Sequence, residues 1–197
     1  MSAPEPWSPL AGHLVAGRHG AVTGEPLALR EVASSIVDLA ARRGRAGDLV
    51  AAIRGAFGFD LPAPGRWAGD GEVTAVWIKP ETWLLLAPRG VEGAFAAGVK
   101  QAAGDAGSVV DQSHGKTRLG LSGVMAREAL AKGCRIDLDP SAFGPGRSAV
   151  TQISQTGCVL LQRDDTPAFE LVVGSSYAIP FFDWLTHAAA GFGYEIR

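Results

Sequence analysis

Two short loop signatures recur in this 197-residue chain, and they restrict its folding more than any other feature. Phe59-Asp-Leu-Pro62 is echoed by Ile136-Asp-Leu-Asp-Pro140, and Pro64-Gly-Arg66 by Pro145-Gly-Arg147. Each copy follows a helical pattern and precedes strand patterns, at an offset of roughly 80 residues that drifts as loop insertions would make it. A diverged internal duplication accounts for both the order and the letters; chance similarity between two Pro/Gly loops accounts for the letters alone. Two copies of a strand–helix–strand–strand–helix unit predict an α+β fold with mixed or antiparallel sheets and helices packed outside. The predicted organisation is an N-terminal arm over 1–24 and one domain over 25–197. That domain divides into pseudo-repeated halves of about 25–106 and 107–197, neither of which need be stable alone.

Periodicity places the elements. Leu27–Val32 and Ile36–Leu39 read as extended segments. Asp48–Phe57 has apolar residues at helical spacing with Asp48 as a candidate N-cap. Val73–Ile78 and Trp83–Leu86 flank Lys79-Pro-Glu-Thr82, a hairpin signal. Val91–Ala103 reads as a helix with Gly104 past its end. In the second half, Ser122 is a candidate cap for a helix ending at Gly133. Strands are expected at Val150–Ile153, Val159–Leu161 and Phe169–Val173, and a helix opening at Ser175 or Ser176 and running through Trp184 and His187. The arm has no period of its own, yet Trp7, Leu10, Leu14 and Val15 would each leave about 1.5–3 kcal/mol of burial unrealised in water. It is expected to lie on its own domain or on a partner.

Charge narrows the function classes. The 18 Lys and Arg against 20 Asp and Glu leave a net charge of −2, without the basic face that phosphate neutralisation demands, so a general nucleic-acid binder is excluded. The two cysteines, Cys134 and Cys158, make neither a disulfide framework nor a zinc knuckle. The first ten residues have no signal-peptide pattern, and no run approaches the roughly 20 apolar residues that span a bilayer. A cytoplasmic location is the expectation.

Catalytic motifs do not assemble. Gly65–Gly71 lacks dinucleotide-loop spacing and leads into a strand pattern, and Gly115-Lys-Thr117 lacks the earlier glycine of a phosphate loop. His13 and His19 have no companion carboxylate at ligand spacing, and His187 reads as a polar face or a C-terminal charge complement on the last helix. Asp111-Gln-Ser-His-Gly115 is a dense polar cluster. On one strand, though, Asp111 and Ser113 would face one way and His114 the other, and triads converge from separate elements. A strand-end turn in which Asp111 and Ser113 bond backbone amides is the competing reading. Arg42-Arg-Gly-Arg45 reads as a solvated loop or a contact for an acidic partner, Asp164-Asp165 as a hairpin turn, and Cys134 at a helix end as a poor nucleophile.

Val109–Gly123 resembles the aminomethyltransferase (T-protein) superfamily of tetrahydrofolate-binding proteins, with an Asp-x-Ser turn, a strand and a Gly opening a helix. Further motifs are Ala131-Lys-Gly-Cys-Arg-Ile-Asp-Leu138, Phe143-Gly-Pro-Gly-Arg147, Thr151-Gln-Ile-Ser-Gln-Thr-Gly157 and Trp7-Ser-Pro-Leu-Ala-Gly12. Together with Asp111–Gly115 they resemble the gamma subunit family of heterotetrameric sarcosine oxidases across nearly the whole chain. The resemblance implies a T-protein-like fold and an accessory subunit in a complex with alpha, beta and delta subunits, packed mainly on alpha. Such complexes oxidatively demethylate sarcosine to glycine, with hydrogen peroxide formed and a one-carbon unit passed to tetrahydrofolate. FAD, FMN, NAD, tetrahydrofolate and zinc are implied in the other subunits and none in this chain. It also implies that the superfamily's folate-binding Asn and Asp fall at Gly174 and Phe181, with Asp183 two positions out of register, so no catalytic, cofactor or metal residue is expected. A free-standing folate-binding protein or aminomethyltransferase dependent on Asp111, and a hydrolase using Ser113 and His114, are the alternatives. Trp7, Trp67, Trp77 and Trp83 are candidate interface anchors, with the core as the competing place for Trp77 and Trp83.

Overall fold

The computed structural model describes residues 8–22, 24–69 and 71–197. Three strands open it: β1 (Gly17–His19), β2 (Leu27–Glu31) and β3 (Ser34–Ala41). The extended segments expected over 27–32 and 36–39 both form, but they enter different sheets. Helix α1 (Ala46–Phe57) starts before Asp48, so that residue is not the cap. Arg45 takes the cap position, and Asp48 in the first turn pairs with the Arg45 guanidinium, where a carboxylate complements the exposed N–H groups. Gly58 ends α1 in the left-handed region at φ 76°, donating its N–H to Arg54 O, a backbone state that glycine adopts without a Cβ clash.

The short β4 (Trp67–Gly69) precedes the expected hairpin of β5 (Thr74–Lys79) and β6 (Thr82–Pro88). Helix α2 (Ala94–Ala103) begins later than the expected Val91, because the left-handed Gly93 breaks the helical backbone just before it. Gly104 closes α2 as expected, and β7 (Gly107–Asp111) follows. Ser122 is not a helix cap. It ends β8 (Lys116–Ser122) with its backbone laddered between Ala28 and Ala168, and Gly123, at φ 124°, turns the chain towards α3 (Ala126–Ala131). The three later strands are β9 (Ser148–Ile153), β10 (Thr156–Asp164) and β11 (Ala168–Gly174), longer than expected but in place. A 3₁₀ turn over Ser175–Tyr177 leads into α4 (Ala178–Ala190), and β12 (Tyr194–Ile196) is last.

The chain forms two compact units. The first, residues 34–113 with 146–149, holds an antiparallel sheet in the order β4-β5-β6-β3-β7. Alternation along β3 and β6 turns Val37, Leu39 and Leu85 towards Leu49 and Ile53 of α1 and Val99 of α2, forming one apolar core. Trp83 belongs to that core and donates its indole N–H to Pro62 O at 2.9 Å; Trp77 packs against it.

The second unit comprises the described part of 1–33 with 114–145 and 150–197. Its sheet runs β1-β12-β2-β8-β11-β10-β9, with β12 and β2 parallel. Leu27, Leu29, Leu119, Leu121, Leu160, Phe169 and Leu171 are buried on it, and α3 packs beside α4. The arm lies on this unit. Leu10 is fully buried, the Ser8 hydroxyl donates to Glu31, and β1 ladders with β12. Val15 is exposed, and Trp7 lies outside the described residues.

These units cut across contiguous sequence halves. β2 is inserted between β12 and β8, while β7 edges the other sheet against β3. The two Pro-Gly-Arg loops meet each other. Arg66 and Arg147 form an antiparallel bridge, Ser148 N–H donates to Gly65 O at 3.0 Å, and Trp67 N–H donates to Gly146 O at 3.3 Å. Gly65 and Gly146 are both left-handed, at φ 71° and 78°.

Candidate functional site

β7 ends at Asp111, the first residue of the cluster, and residues 113–115 form a turn rather than continuing the strand. Asp111 Oδ1 accepts the Ser113 N–H at 2.9 Å, and Ser113 Oγ accepts the Ile36 N–H at 3.0 Å. The Arg89 guanidinium donates to Ser113 O at 3.0 Å and Ser34 O at 3.3 Å, fastening the turn from the other side. The Ser113 hydroxyl therefore serves backbone geometry, while His114 is exposed in the same turn. This is the local amide-bonding arrangement rather than a nucleophile and base drawn from separate elements.

At the end of β11, Ser175 N–H donates to Gly115 O at 3.0 Å, and the Ser175 and Thr117 hydroxyls pair at 3.0 Å. Gly174 has no side chain to offer, and Phe181 is buried with its ring 5.9 Å from that of Trp184. Gly174 and Phe181, where the resemblance implies an Asn and an Asp, thus carry neither an amide nor a carboxylate side chain. The Asp183 carboxylate is exposed, and its backbone oxygen accepts from Thr186 Oγ1 and bonds His187 Nδ1.

The remaining candidates are separate from one another. His19 bonds Val15 O and stacks on Tyr194, and Arg45 pairs with Asp48 in the basic loop. Asp164 makes a turn by accepting Thr166 N–H at 3.0 Å. Burial pushes the Cys134 thiol above its ordinary range despite backbone hydrogen bonds, and burial does the same to Cys158, which disfavours the thiolate at both. No cluster of three or more His, Cys, Asp or Glu able to hold a metal occurs among the described residues.

Sequence reasoning missed two polar networks in the second unit. Glu170, on β11, receives Arg118 Nη2 at 2.6 Å and Nε at 3.1 Å, and Arg163 Nη2 at 2.7 Å. Desolvation alone would raise the Glu170 carboxyl, but the hydrogen bonds and charges of Arg163 and Arg118 outweigh it and hold it below the usual range. Nearby, Arg127 donates to Leu138 O, to Phe143 O at 2.9 Å and to the fully buried Gln162 Oε1 at 2.9 Å, with Phe169 beneath its guanidinium. A visible signal was present for one of them: Glu170 interrupts the otherwise apolar run Phe169–Val173, whereas Gln162 only closes the run Val159–Leu161.

A model of the sarcosine oxidase gamma subunit family matches residues 43–191. The chain belongs to that family. Two curated gamma subunits of sarcosine oxidase, from Arthrobacter sp. and Corynebacterium sp. (strain P-1), are each 35% identical to it; the matches cover 92% and 94% of this chain and 89% and 91% of theirs. Among solved structures, a chain of the heterotetrameric sarcosine oxidase from Corynebacterium sp. U-96 in complex with pyrrole 2-carboxylate superposes with a TM-score of 0.80 at 30% identity, covering 95% of this chain and 96% of that one. The glycine cleavage aminomethyltransferase T of Bartonella henselae reaches a TM-score of 0.63 at 16% identity over 82% of this chain and 45% of its own, a likeness of fold.

Proposed function

We propose that this chain is the gamma subunit of a heterotetrameric sarcosine oxidase, joined to alpha, beta and delta subunits in an assembly that oxidatively demethylates sarcosine. The observation that carries the reading is the match to a chain of such a heterotetramer over 95% of this chain and 96% of that one. In this reading the chain is accessory: it holds no catalytic residue, packs mainly on alpha, and works in the cytoplasm. FAD, FMN, NAD, tetrahydrofolate and zinc reside in the other subunits. No helix among the described residues is long and apolar enough to cross a membrane.

The same reading includes an ancestral duplication. The order β4-β5-β6-β3-β7 corresponds, strand for strand, to β9-β10-β11-β8-β12 with β2 inserted before the last member. The Pro-Gly-Arg loops pair reciprocally, Gly65 with Ser148 and Gly146 with Trp67, as equivalent segments around a local pseudo-dyad would. Both features support descent from one repeated unit.

Purifying the tagged chain from cells that express its neighbouring subunits tests the function. Stoichiometric co-elution with larger subunits and a visible flavin spectrum is the expected result. A colourless single species, with those subunits expressed but absent from the eluate, overturns the reading and favours a free-standing folate protein.

A further inference from the structure

Among the described residues each of the two sheets ends in two edge strands, and three of these four edges are guarded. β1 and β4 are only three residues long. β9 is tied at both ends: Ser148 N–H donates to Gly65 O at 3.0 Å, Ser154 N–H donates to Gly133 O at 3.2 Å, and Cys134 bridges to Ile153. The fourth edge, β7, is five residues long and reads Gly107-Ser-Val-Val-Asp111. It has no lysine, proline or bulge, and its register with β3 is unbroken from Val37 opposite Asp111 to Ala41 opposite Gly107. Short length, lysine, proline, bulges and covering segments are the devices that stop an edge from pairing with another chain. Asp111 is the one charge on β7, and it sits at the end of the strand, turned to the Ser113 N–H.

The ladder shows which backbone groups the edge offers. Arg42 N–H donates to Ala106 O and Gln112 N–H to Ile36 O, both at 2.8 Å, so Ser108 and Val110 between them also turn their backbone groups to β3. Alternation then aims the N–H and C=O groups of Gly107, Val109 and Asp111 out of the sheet. Those of Gly107 and Val109 have no partner among the described residues. Ser108 and Asp111 are exposed, and Val110 is 50% exposed.

The neighbouring strand adds a charge without a counter-ion. Val110 stands opposite Asp38 of β3, on the face turned away from α1 and α2, since Val37 and Leu39 take the other face. Asp38 Oδ1 is buried with no hydrogen-bond partner, and its carboxylate makes no ion pair among the described residues, although the residue as a whole is partly exposed. A strand added beside β7 would continue the row from Asp38 through Val110, two strand spacings or about 9.5 Å from Asp38. A lysine or arginine in that row would lay its apolar stem over Val110 and bring its charged head to Asp38.

We propose that β7 is a strand-addition site for an extended, basic segment of a partner subunit, paired to the Gly107, Val109 and Asp111 backbone and carrying a lysine or arginine to Asp38. This inference rests on the subunit reading above. A second copy of the chain fits the edge less well: β7 has no basic side chain, so β7 against β7 would leave both Asp38 carboxylates without a cation and add both Asp111 charges.

Hydrogen exchange on the assembled complex and on the full chain alone, both from co-expression with the other subunits, tests this. Peptides spanning 107–112 should exchange about tenfold or more slowly in the complex, with peptides of β6, central in the same sheet, exchanging alike in both. Val110→Lys removes the apolar contact and gives Asp38 a cation from its own chain, so it should lower the share of partner subunits retained about tenfold. Asp38→Asn should make retention less sensitive to salt. Val91→Lys, at a position 80% exposed elsewhere in the same unit, should assemble as the parent does. Thermal melts of each variant alone separate lost docking from lost folding, and the exchange result on the parent needs no variant. Unchanged exchange over 107–112 in an assembled complex, or a folded Val110→Lys that assembles as the parent does, overturns the inference and leaves the subunit role intact. A parent chain that assembles with none of the other subunits overturns both. Protection of 107–112 in a homodimer gives the edge to a second copy and overturns the choice of partner.

Discussion

In the unit of residues 34–113, the ion pairs Arg45–Asp48 and Arg54–Asp60 stand in solvent, their side chains 48–62% exposed. In the other unit, Arg118 and Glu170 are 11% and 10% exposed and Arg163 22%. The first unit closes an apolar core beneath α1 and α2 and keeps these two ion pairs outside it. The second embeds a carboxylate between two guanidiniums within its sheet. Charge of the same kind thus does different work in the two places: screened and nearly neutral in energy at the surface, and mutually dependent where water is excluded.

The sharpest way to break that contrast is Glu170→Ala, which strands Arg118 and Arg163 beside each other. A loss of about 3–5 kcal/mol is expected from removing one member of a buried ion network, read as a fall in the urea midpoint at constant m. Titration probes the same group continuously. Because the folded-state pKa of Glu170 lies below its ordinary value of 4.5, its contribution is fully present above that value and is lost as pH falls through the lower folded one. Thermal melts at decreasing pH should show an acid-induced decline below about pH 4.5 that is diminished in Glu170→Gln.

Next in size come glycines against which each unit packs. A Cβ on Gly133 would meet Trp184 Cζ2 at 2.5 Å, and one on Gly107 would meet Leu49 Cδ1 and Ala103 Cβ at 2.9 Å. Gly133→Ala and Gly107→Ala should each cost about 1–3 kcal/mol by overpacking, with Gly133 the more severe because a rigid indole cannot yield like a leucine methyl. Equal losses in chemical denaturation would remove that distinction. Smallest is Arg54→Ala: deleting an exposed partner of Asp60 should change stability by no more than about 0.5 kcal/mol, and a loss comparable to Glu170→Ala would end the comparison between the units.

Local chemistry was largely legible. Hydrophobic periodicity located α1, α2, α4 and the β5–β6 hairpin, Gly104 marked a helix end, and the motifs from Asp111 to Gly157 carried the family. Helix starts were less legible because Asp48 and Ser122 have cap chemistry without cap backbone: one falls inside a turn already begun, the other is held extended by two neighbouring strands. The turn at Asp111 to His114 looked like a triad in letters and resolved into backbone bonds only when Ile36, far off in sequence, came alongside.

Sequence by itself determined the alternation of strands and helices, the repeated loops and the family, since each rests on neighbours within a few residues or on letters kept in order. Tertiary structure decided that β2 separates β8 from β12, that Gly65 and Gly146 face each other's strands, and that Glu170 lies between Arg118 and Arg163. Those outcomes depend on which strand edges pair and which side chains lose water together. Both are long-range terms, and no local pattern of residues encodes them.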